Sequence, residues 1–363
     1  MKNFKNFFKN KTVIVTGHTG FKGSWLTLWM VNLGAKVVGI SDKEISKPSH
    51  FDILKLKKKI IHKKVDVRDL RSLKKIFVNY KPDYVFHLAA QALVKKSFMQ
   101  PNFTWETNTI GTLNVLESLR YVKKKCITIM VTSDKVYRNT ETNKGYKEDD
   151  IIGGKDPYSA SKSSAELVIR SYIDSFFSSK NNKVLIAIAR AGNVIGGGDW
   201  SADRVIPDCV KSWSKNKRAV IRNPKSTRPW QHVLEAIWGY IFLAINLNLK
   251  KNLHGEAFNF GPKKKNNFKV IELIKLMEIS WPGIRWQTTS KKKFFFEANL
   301  LRLNIRKAES ILKWRPILDF TETIKMTTIW YKLFYSKKIK KIISIDQINF
   351  YRKLLQKKMK VII

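Results

Sequence analysis

Carboxylates are scarce in this 363-residue chain: 28 Asp and Glu stand against 70 Lys and Arg, a formal charge of +42 at pH 7. A surplus of that size invites a search for a nucleic-acid or membrane partner. The lysines argue otherwise, because they are spread in short runs (Lys57 to Lys59, Lys123 to Lys125, Lys263 to Lys265, Lys291 to Lys293) and no single helix or loop gathers them. No specific nucleic-acid site is expected, only a salt-sensitive affinity for anions in general. Cysteine is nearly absent. Cys126 and Cys209 lie far apart in apolar surroundings, with no C-x-x-C or histidine spacing, which leaves no pattern for redox or metal chemistry and makes both structural. No apolar run approaches the roughly 20 residues needed to span a bilayer. Met1 to Lys11 alternates Lys and Asn with Phe and builds no signal-peptide core, so a cytoplasmic protein without membrane contact is expected. Internal repeats and Pro/Gly/Ser-rich linkers are missing as well, so any second domain must be interleaved with the first. What the chain does have is apolar content, 44% hydrophobic and 12% aromatic, enough to fill a core in one large or two interlocked domains.

That apolar content is patterned. Thr12 to Thr16 is a short β-branched run followed by a glycine-rich turn, and Ser24 to Leu33 carries helical apolar spacing. The alternation continues with strands over Lys36 to Ile40, Val85 to Leu88, Ile127 to Thr132 and Val184 to Ala189, and helices over Thr107 to Leu119 and Pro157 to Ser175. Strands alternating with helices imply right-handed parallel crossovers, hence an α/β fold with a doubly wound parallel sheet. Beyond about Arg190 the pattern loosens into loops, isolated helices such as Val233 to Ile245, and a Lys-rich helical tail from Lys337. The expected division is a Rossmann domain over residues 1–190 and a smaller substrate domain over 191–363, partly interleaved with it.

Gly17, Gly20 and Gly23 directly follow the first strand with the spacing G-x-x-G-x-x-G. Glycines permit a tight turn and close backbone approach, and the helix that follows offers free N–H groups and the positive end of its dipole to a pyrophosphate. A purely structural turn is the alternative, and the downstream residues weigh against it. Asp66 and Val67, within a stretch from Val65 to Arg68 expected to end a strand, stand where a carboxylate could accept from an adenine amino group. Ala89 and Gln91 follow the strand ending near Leu88, where small residues let a ribose approach the backbone. The acid expected on the adenosine ribose is Asp42 by distance from the last glycine, or Ser41 occupies its place. NAD is preferred, and Lys43 keeps NADP open.

Tyr158 and Lys162 are four apart on a helix that Asp156 and Pro157 would cap and open, so both project from one face. A phenol titrates near 10 in water, and a neighbouring ammonium with a positive nicotinamide would favour the phenolate. Such a tyrosine can take the proton of a sugar hydroxyl while hydride leaves the same carbon. Ser133, Asp134 and Lys135 fall at the carboxyl end of a parallel strand, the edge where such sheets bind ligands. Ser133 could share a proton with the hydroxyl being oxidised, and Asp134 could protonate a departing one; a polar turn is the alternative for both.

Seven stretches together resemble the extended short-chain dehydrogenase/reductase family over nearly the whole chain, and within it the nucleotide-sugar epimerases and dehydratases. They are TGHTGFKGSWL (Thr16 to Leu26), HLAAQALV (His87 to Val94), TSDKVY (Thr132 to Tyr137), DPYSASK (Asp156 to Lys162), RAGNVIGGGDW (Arg190 to Trp200), DRVIPD (Asp203 to Asp208) and RPWQHV (Arg228 to Val233). The last three are the more specific, and they point to the branch that dehydrates a CDP-linked hexose. The resemblance implies a redox-neutral cycle on tightly held NAD: oxidation at the sugar's 4-position, loss of water across carbons 5 and 6, and re-reduction at carbon 6. CDP-glucose would give CDP-4-dehydro-6-deoxyglucose, in the service of deoxyhexose synthesis for surface polysaccharide such as O-antigen. By the same resemblance Thr19 and Phe21 join the cofactor residues, Tyr158 is the base for oxidation, Lys162 tunes it, and Asp134 is the acid. Lys135 stands where related enzymes carry a glutamate base. Arg190, Asn193, Arg204, Arg222, Arg228, Trp230 and His232 fall on the substrate side, the arginines suited to bidentate pyrophosphate contacts. Packing is the alternative for Trp230 and His232, and a salt bridge for each arginine. The family pairs subunits through the helices that here include Thr107 to Leu119 and Pro157 to Ser175, so a homodimer or homotetramer is expected.

The chain departs from the family pattern at Asn304, Glu309 and Lys313, where Asp, Arg and Gly are usual, and at Phe296, where His is usual. Two rivals remain. An epimerase on the same scaffold would share every cofactor residue, and Asp134 argues for elimination against it. A polyanion-binding protein is motivated by charge alone.

Overall fold

The computed structural model describes residues 2–44, 46–142, 144–263, 268–289, 301–336 and 343–362. Seven parallel strands form its central sheet: β1 (Thr12–Thr16), β2 (Lys36–Ser41), β3 (Ile61–Lys64), β4 (Tyr84–His87), β5 (Cys126–Val131), β6 (Val184–Ala191) and β7 (Ala257–Phe260). Their spatial order is β7-β6-β5-β4-β1-β2-β3, with the order reversing at β1, and every neighbouring pair is parallel. This is the doubly wound Rossmann arrangement, and the reversal opens a crevice at the carboxyl ends of β1 and β4. The strands in its middle are apolar throughout because both faces are covered: every residue of β5 and β6 is buried.

The alternation of side chains assigns each face its partners. Ile14, Val38, Val85, Met130 and Ile186 point to one side, against Leu73, Ile76 and Phe77 of α2 (Leu70–Tyr80), Val115, Leu116 and Leu119 of α3 (Gly111–Leu119), and Ile169 of α4 (Pro157–Tyr172). Val13, Val15, Phe86, Ile129 and Leu185 point to the other. There they meet α1 (Phe21–Asn32), and a helix from the second half of the chain, Val233–Leu249, completes the cover. That second-half helix is buried on all sides from Val233 to Leu247, as a helix inside a core must be. β7 follows it. The main sheet therefore takes its seventh strand from beyond residue 191, a strand the sequence conceals because buried Asn259 interrupts its apolar run.

β3 was concealed too. Its residues, Ile61 to Lys64, are mostly polar and lie at the sheet edge, and the strand ends at Lys64, so Val65 to Arg68 follow the strand they were expected to finish. The helix expected over Thr107 to Leu119 starts earlier, at Pro101, and passes through a π-helical turn (Glu106–Ile110) into α3. α4 opens as its sequence predicts, with Pro157 in the first turn and an Asp156–Ser159 capping box.

After Ala191 the chain makes short pairings in place of a second sheet: Val194–Ile195 with Gln231–His232, Thr227–Arg228 with Phe268–Lys269, and Ala219–Ile221 with Trp286–Thr288. The helices here are α5 (Val205–Trp213), α6 (Val233–Leu249, the core helix above), α7 (Val270–Ser280), α8 (Phe320–Tyr335) and α9 (Ile343–Met359). The tail expected from Lys337 begins outside the described residues. Its described part, α9, buries Ile348, Tyr351 and Leu355, with Tyr351 edge-on to Trp29 of α1 at 5.9 Å. Phe296 also lies outside the described residues. Among the described residues no helix is long and apolar enough to cross a membrane. Cys126 and Cys209 are both buried, which pushes their thiols up to about 12 and leaves them inert.

Candidate active site

The turn after β1 shows why its glycines are glycines. Gly17 has φ +73°, and a Cβ there would stand 2.8 Å from the backbone of Ala89 at the end of β4. A Cβ on Gly23 would stand 2.1 Å from the Gly17 carbonyl oxygen, so the first turn of α1 packs directly on the loop that precedes it. Gly20 is the N-cap of α1 and supplies no capping side chain, and no acidic residue occupies the first turn. The N–H groups of the first turn thus remain available at the positive end of the helix, the cradle a pyrophosphate requires. Thr19 Oγ1 bonds Ser41 Oγ at 2.7 Å and donates to the Lys43 carbonyl at 2.8 Å, which ties this turn to the end of β2. Ser41 is the last residue of β2; Asp42 lies beyond it and pairs with Lys43 at 3.7 Å. Ser41 thus stands at the strand end where an acid toward the ribose is expected, with Asp42 one residue beyond.

Around the adenosine end, Asp66 accepts from Arg68 through two side-chain nitrogens and the backbone N–H, and Arg68 reaches on to Glu106 at 2.6 Å. Partial burial would raise the Asp66 carboxyl, but Arg68 more than offsets this and holds it below its usual range. Val67 is buried and packs where a Cβ on Gly111 would come within 2.7 Å. Phe21 and Ala89 flank the turn, half-buried. The Gln91 amide donates to Leu93 O and Thr104 Oγ1 and its Oε1 accepts from Leu93 N, so the side chain shapes its own loop.

Tyr158, Ser133 and Asp134 come together. Ser133 Oγ donates to Asp134 Oδ1 at 2.9 Å and lies close enough to Tyr158 to favour its phenolate, which places it between the two. Burial raises the Asp134 carboxyl above its usual range, and Lys135, Ser133 and Lys22 offset only part of the rise. A carboxyl whose proton affinity is raised is better suited to carry a proton to a leaving group. Burial likewise pushes the Tyr158 phenol up to about 12, against the Ser133 hydrogen bond. The Lys162 ammonium, one helical turn on from Tyr158, is itself buried and brought down to about 8, with Glu166 as the opposing charge. Lys135 stands one residue past Asp134, partly exposed, its backbone N–H on Ser133 Oγ at 3.2 Å.

One group in this cluster went unread in the sequence. Lys22, in the first turn of α1, carries its ammonium to Tyr240 Oη of α6 at 3.4 Å and lies within electrostatic reach of Asp134, Arg204 and Lys162. It was visible only as a letter inside the glycine motif.

The substrate-side residues divide. Arg204, the N-cap of α5, pairs with Asp199 at 2.9 Å and acts electrostatically on both Lys22 and Tyr158, which places it at the cluster. Asn193 is exposed just after β6. Arg222 is exposed and pairs with Asp203 and Asp208, and Arg228 donates to its neighbour's carbonyl at 2.8 Å. Three others are buried, and of these Arg190 and Trp230 are corrected. Arg190 is wholly buried, bidentate to Glu166 of α4 and bonded to Tyr137 Oη and the Glu148 carbonyl, so four of its five N–H donors are spent inside the core and it braces β6 from beneath. Trp230 is buried with its indole N–H on the Phe268 carbonyl at 3.3 Å. His232 is wholly buried and caps α6, its Nδ1 accepting from Leu234 N at 3.2 Å.

With this geometry in place, comparison with known proteins is decisive for the family. The profile of the GDP-mannose 4,6 dehydratase family matches residues 14–327. The chain belongs to that family. A CDP-glucose 4,6-dehydratase of Salmonella typhimurium (strain LT2) is 42% identical to this family member over 90% of its chain and 92% of the relative. Among solved structures, an epimerase of Methanothermobacter thermautotrophicus superposes with a TM-score of 0.76 at 24% identity, covering 92% of this chain and 96% of that one. A dTDP-glucose 4,6-dehydratase of Bacillus anthracis in complex with NAD gives 0.70 at 19%, covering 89% and 96%. These two likenesses establish the fold.

The departures of this dehydratase-family member can now be placed. Lys313 closes the π-helical turn Ala308–Leu312 in the left-handed conformation, φ +62°, which is why glycine is the usual residue there. Asn304 accepts from Arg306 N at 3.0 Å, as an aspartate would, and its carbonyl accepts from Asn259 at 3.2 Å. Glu309 is exposed, and nothing in the structure explains its presence.

Proposed function

We propose that this chain converts CDP-glucose to CDP-4-dehydro-6-deoxyglucose and water, with NAD as a cofactor regenerated in each cycle. The observation that carries the reading is Asp134: a buried carboxyl with a raised proton affinity, with Ser133 between it and Tyr158. An oxidoreductase or epimerase needs the tyrosine, but only an elimination needs a second, protonated acid beside it. The 42% identical relative supports the CDP-linked substrate.

The glycine turn fits a dinucleotide, since Gly17 and Gly23 admit no Cβ and the first-turn N–H groups face outward. Gly17, Thr19, Gly20, Phe21 and Gly23 would hold its pyrophosphate, and Asp66, Val67 and Ala89 its adenosine. When bound, it accepts hydride from the sugar's carbon 4 and returns it at carbon 6. Tyr158 takes the 4-hydroxyl proton, and Lys162, a buried cation, stabilises the phenolate that must form. The resulting 4-ketone makes the carbon-5 proton acidic. Lys135 takes that proton while Asp134 protonates the departing 6-hydroxyl, and water leaves. Arg204, Asn193, Arg222 and Arg228 would hold the nucleotide diphosphate, the arginines exchanging surface carboxylates for phosphate oxygens.

The chain works as a homodimer or homotetramer in this reading, since Trp105, Ile110, Leu167 and Phe176 leave apolar side chains exposed along the helical segment before α3, along α4 and in the π-helical turn after it. Its division is into a cofactor unit over residues 1–190 and a substrate unit over 191–363 partly interleaved with it, since the second half lends β7 to the main sheet and α6 to its cover. A cytoplasmic role in making deoxyhexoses for O-antigen completes the proposal.

The test is direct. CDP-glucose incubated with the protein should yield a 4-keto-6-deoxy sugar with no net NADH; if only thymidine- or GDP-linked hexoses react, the substrate is wrong and the chemistry survives. Tyr158→Phe should suppress oxidation itself. Asp134→Asn should let NADH appear transiently without completing elimination, and equal loss of both partial reactions would remove Asp134 from the acid's role.

A further inference from the structure

The loop that carries Ser133, Asp134 and Lys135 is fastened to the helix that carries Tyr158 and Lys162. Tyr158, Lys162 and Glu166 stand four apart on α4, so they form one ridge, and all three are buried. Glu166 is wholly enclosed, and its Oε1 accepts from Thr132 Oγ1 at 2.6 Å. Thr132 immediately precedes Ser133 and is itself tied to β6, its backbone N–H donating to the Ala189 carbonyl at 3.0 Å. At the other end of the loop the Val136 carbonyl accepts from Gly153 N at 2.7 Å. It also lies 2.8 Å from Ser163 Oγ of α4, a hydroxyl that divides its proton between Val136 and the Ser159 carbonyl at 2.9 Å. Ser133 to Lys135 are thus held to α4 before and after. Arg190 completes the arrangement, because its guanidinium binds both Glu166 oxygens and fixes the direction in which the carboxylate meets Thr132.

Stability alone does not require a carboxylate at this place. A buried ion pair gains little over apolar side chains of similar size, since desolvation offsets most of the attraction. Apolar side chains could not supply a directed bond to the residue next to Ser133. An oxygen–oxygen distance of 2.6 Å is that of a charge-assisted hydrogen bond, which fixes position as well as contributing energy. We propose that Glu166 is a positioning residue for the reaction: through Thr132 it sets the place of Ser133 and Asp134 relative to Tyr158 and Lys162 on its own helix, while Arg190 holds the carboxylate in orientation. Its effect is on distance, and a displacement of about 1 Å at reacting groups can cost about a hundredfold in rate. With the bonds of Thr132 N and Val136 O intact, loss of this one bond should move the loop by less than that. The role rests on the assignment of Ser133 and Asp134 to the chemistry.

The experiment removes the bond from the Thr132 side. Thr132→Val keeps the branched shape and loses the donor; Thr132→Ser keeps the donor. In Thr132→Val, kcat on CDP-glucose should fall about tenfold with KM held within about twofold, since the residues proposed to hold the diphosphate lie on other segments, and Thr132→Ser should stay within about threefold of wild type. Glu166→Met combined with Arg190→Met should fold and still turn over at least about tenfold slowly, whereas a merely structural pair would regain turnover together with stability. Hydrogen exchange reads the loop without substrate. The Lys135 and Val136 amides, bonded to Ser133 Oγ and Ser133 O, should exchange faster in Thr132→Val and at the wild-type rate in Thr132→Ser. Unchanged exchange at these two amides in a folded Thr132→Val protein overturns the proposal, as does wild-type turnover in the Glu166→Met, Arg190→Met protein or a loss that falls on KM. A wild type inert toward CDP-glucose would end the dehydratase reading separately, while the exchange comparison still decides whether Glu166 fixes the loop.

Discussion

Two glycine clusters sit at the same edge of the sheet, and they are glycine for opposite reasons. After β1, the missing side chains let the backbone close on itself, with Gly23 against the Gly17 carbonyl and Gly17 against Ala89, and the product is a row of outward N–H groups. After β6, they let bulky side chains reach the backbone. A Cβ on Gly197 would stand 2.0 Å from the Trp330 ring of α8, one on Gly198 2.4 Å from His50, and one on Gly196 2.8 Å from Val233 of α6. Around the second loop Trp25 donates to Gly197 O, Asp199 N donates to Tyr331 Oη, and Trp200 donates to Tyr335 Oη. One loop is shaped to receive a ligand and the other to receive its own protein. What stands where a Cβ would go distinguishes them; the spacing of the glycines does not.

The largest effect should come from the residue that opens the second stretch. If the region behind Asn193 is scaffold, Arg190→Met should cost about 3–5 kcal/mol in denaturant unfolding, because it strands buried Glu166 without its partner. Replacing Glu166 as well, by Met, should recover much of that loss. A well-folded Arg190→Met protein with a raised KM for the nucleotide sugar would break the comparison, since Arg190 would then be a ligand.

Next in size are the glycines themselves. Gly197→Ala should lower stability by about 1–3 kcal/mol through overpacking against Trp330, and leave dinucleotide affinity, read by calorimetry, nearly unchanged. Trp330→Leu should relieve part of that cost, a non-additivity that a double-mutant cycle measures. Gly23→Ala should instead cut dinucleotide affinity at least about tenfold, more than its loss of stability accounts for, because it displaces the turn that aims the N–H groups. Equal loss of affinity in the two variants would make the loops one device.

These contrasts mark what the sequence could disclose. The order of β1, β2, β4, β5 and β6 was legible because buried parallel strands read as apolar runs punctuated by turns. Asp156 and Pro157 announced the start of α4, and with it the helical turn that separates Tyr158 from Lys162. β3 and β7 were not legible, one too polar and one broken by Asn259. The family signature after Ala189 was plain as a string but silent on purpose: Arg190 and Trp230 look like ligands in sequence, and only burial and internal hydrogen bonds show them to be braces. Lys22 was hidden for the converse reason. A lysine at the start of a helix is ordinarily solvated, and nothing local reveals that Tyr240, more than a hundred residues away, will help to enclose it.

The smallest effect concerns a place where a glycine is missing. Lys313 holds φ +62° at the end of its helical turn, a conformation in which a Cβ crowds the following carbonyl. Glycine adopts it freely but also gains freedom in the unfolded chain, and the two effects partly cancel. Lys313→Gly should therefore raise stability by about 0.5–1 kcal/mol, seen as a small upward shift in thermal midpoint with no change in dinucleotide affinity or turnover. Lys313→Asn, which tolerates the same conformation, should capture part of the gain. If both substitutions destabilise, the lysine stem contributes packing along α9 and the Trp314 turn that outweighs its backbone strain, and this third glycine position would belong with the loop after β6: a place whose residue is chosen by what packs against it.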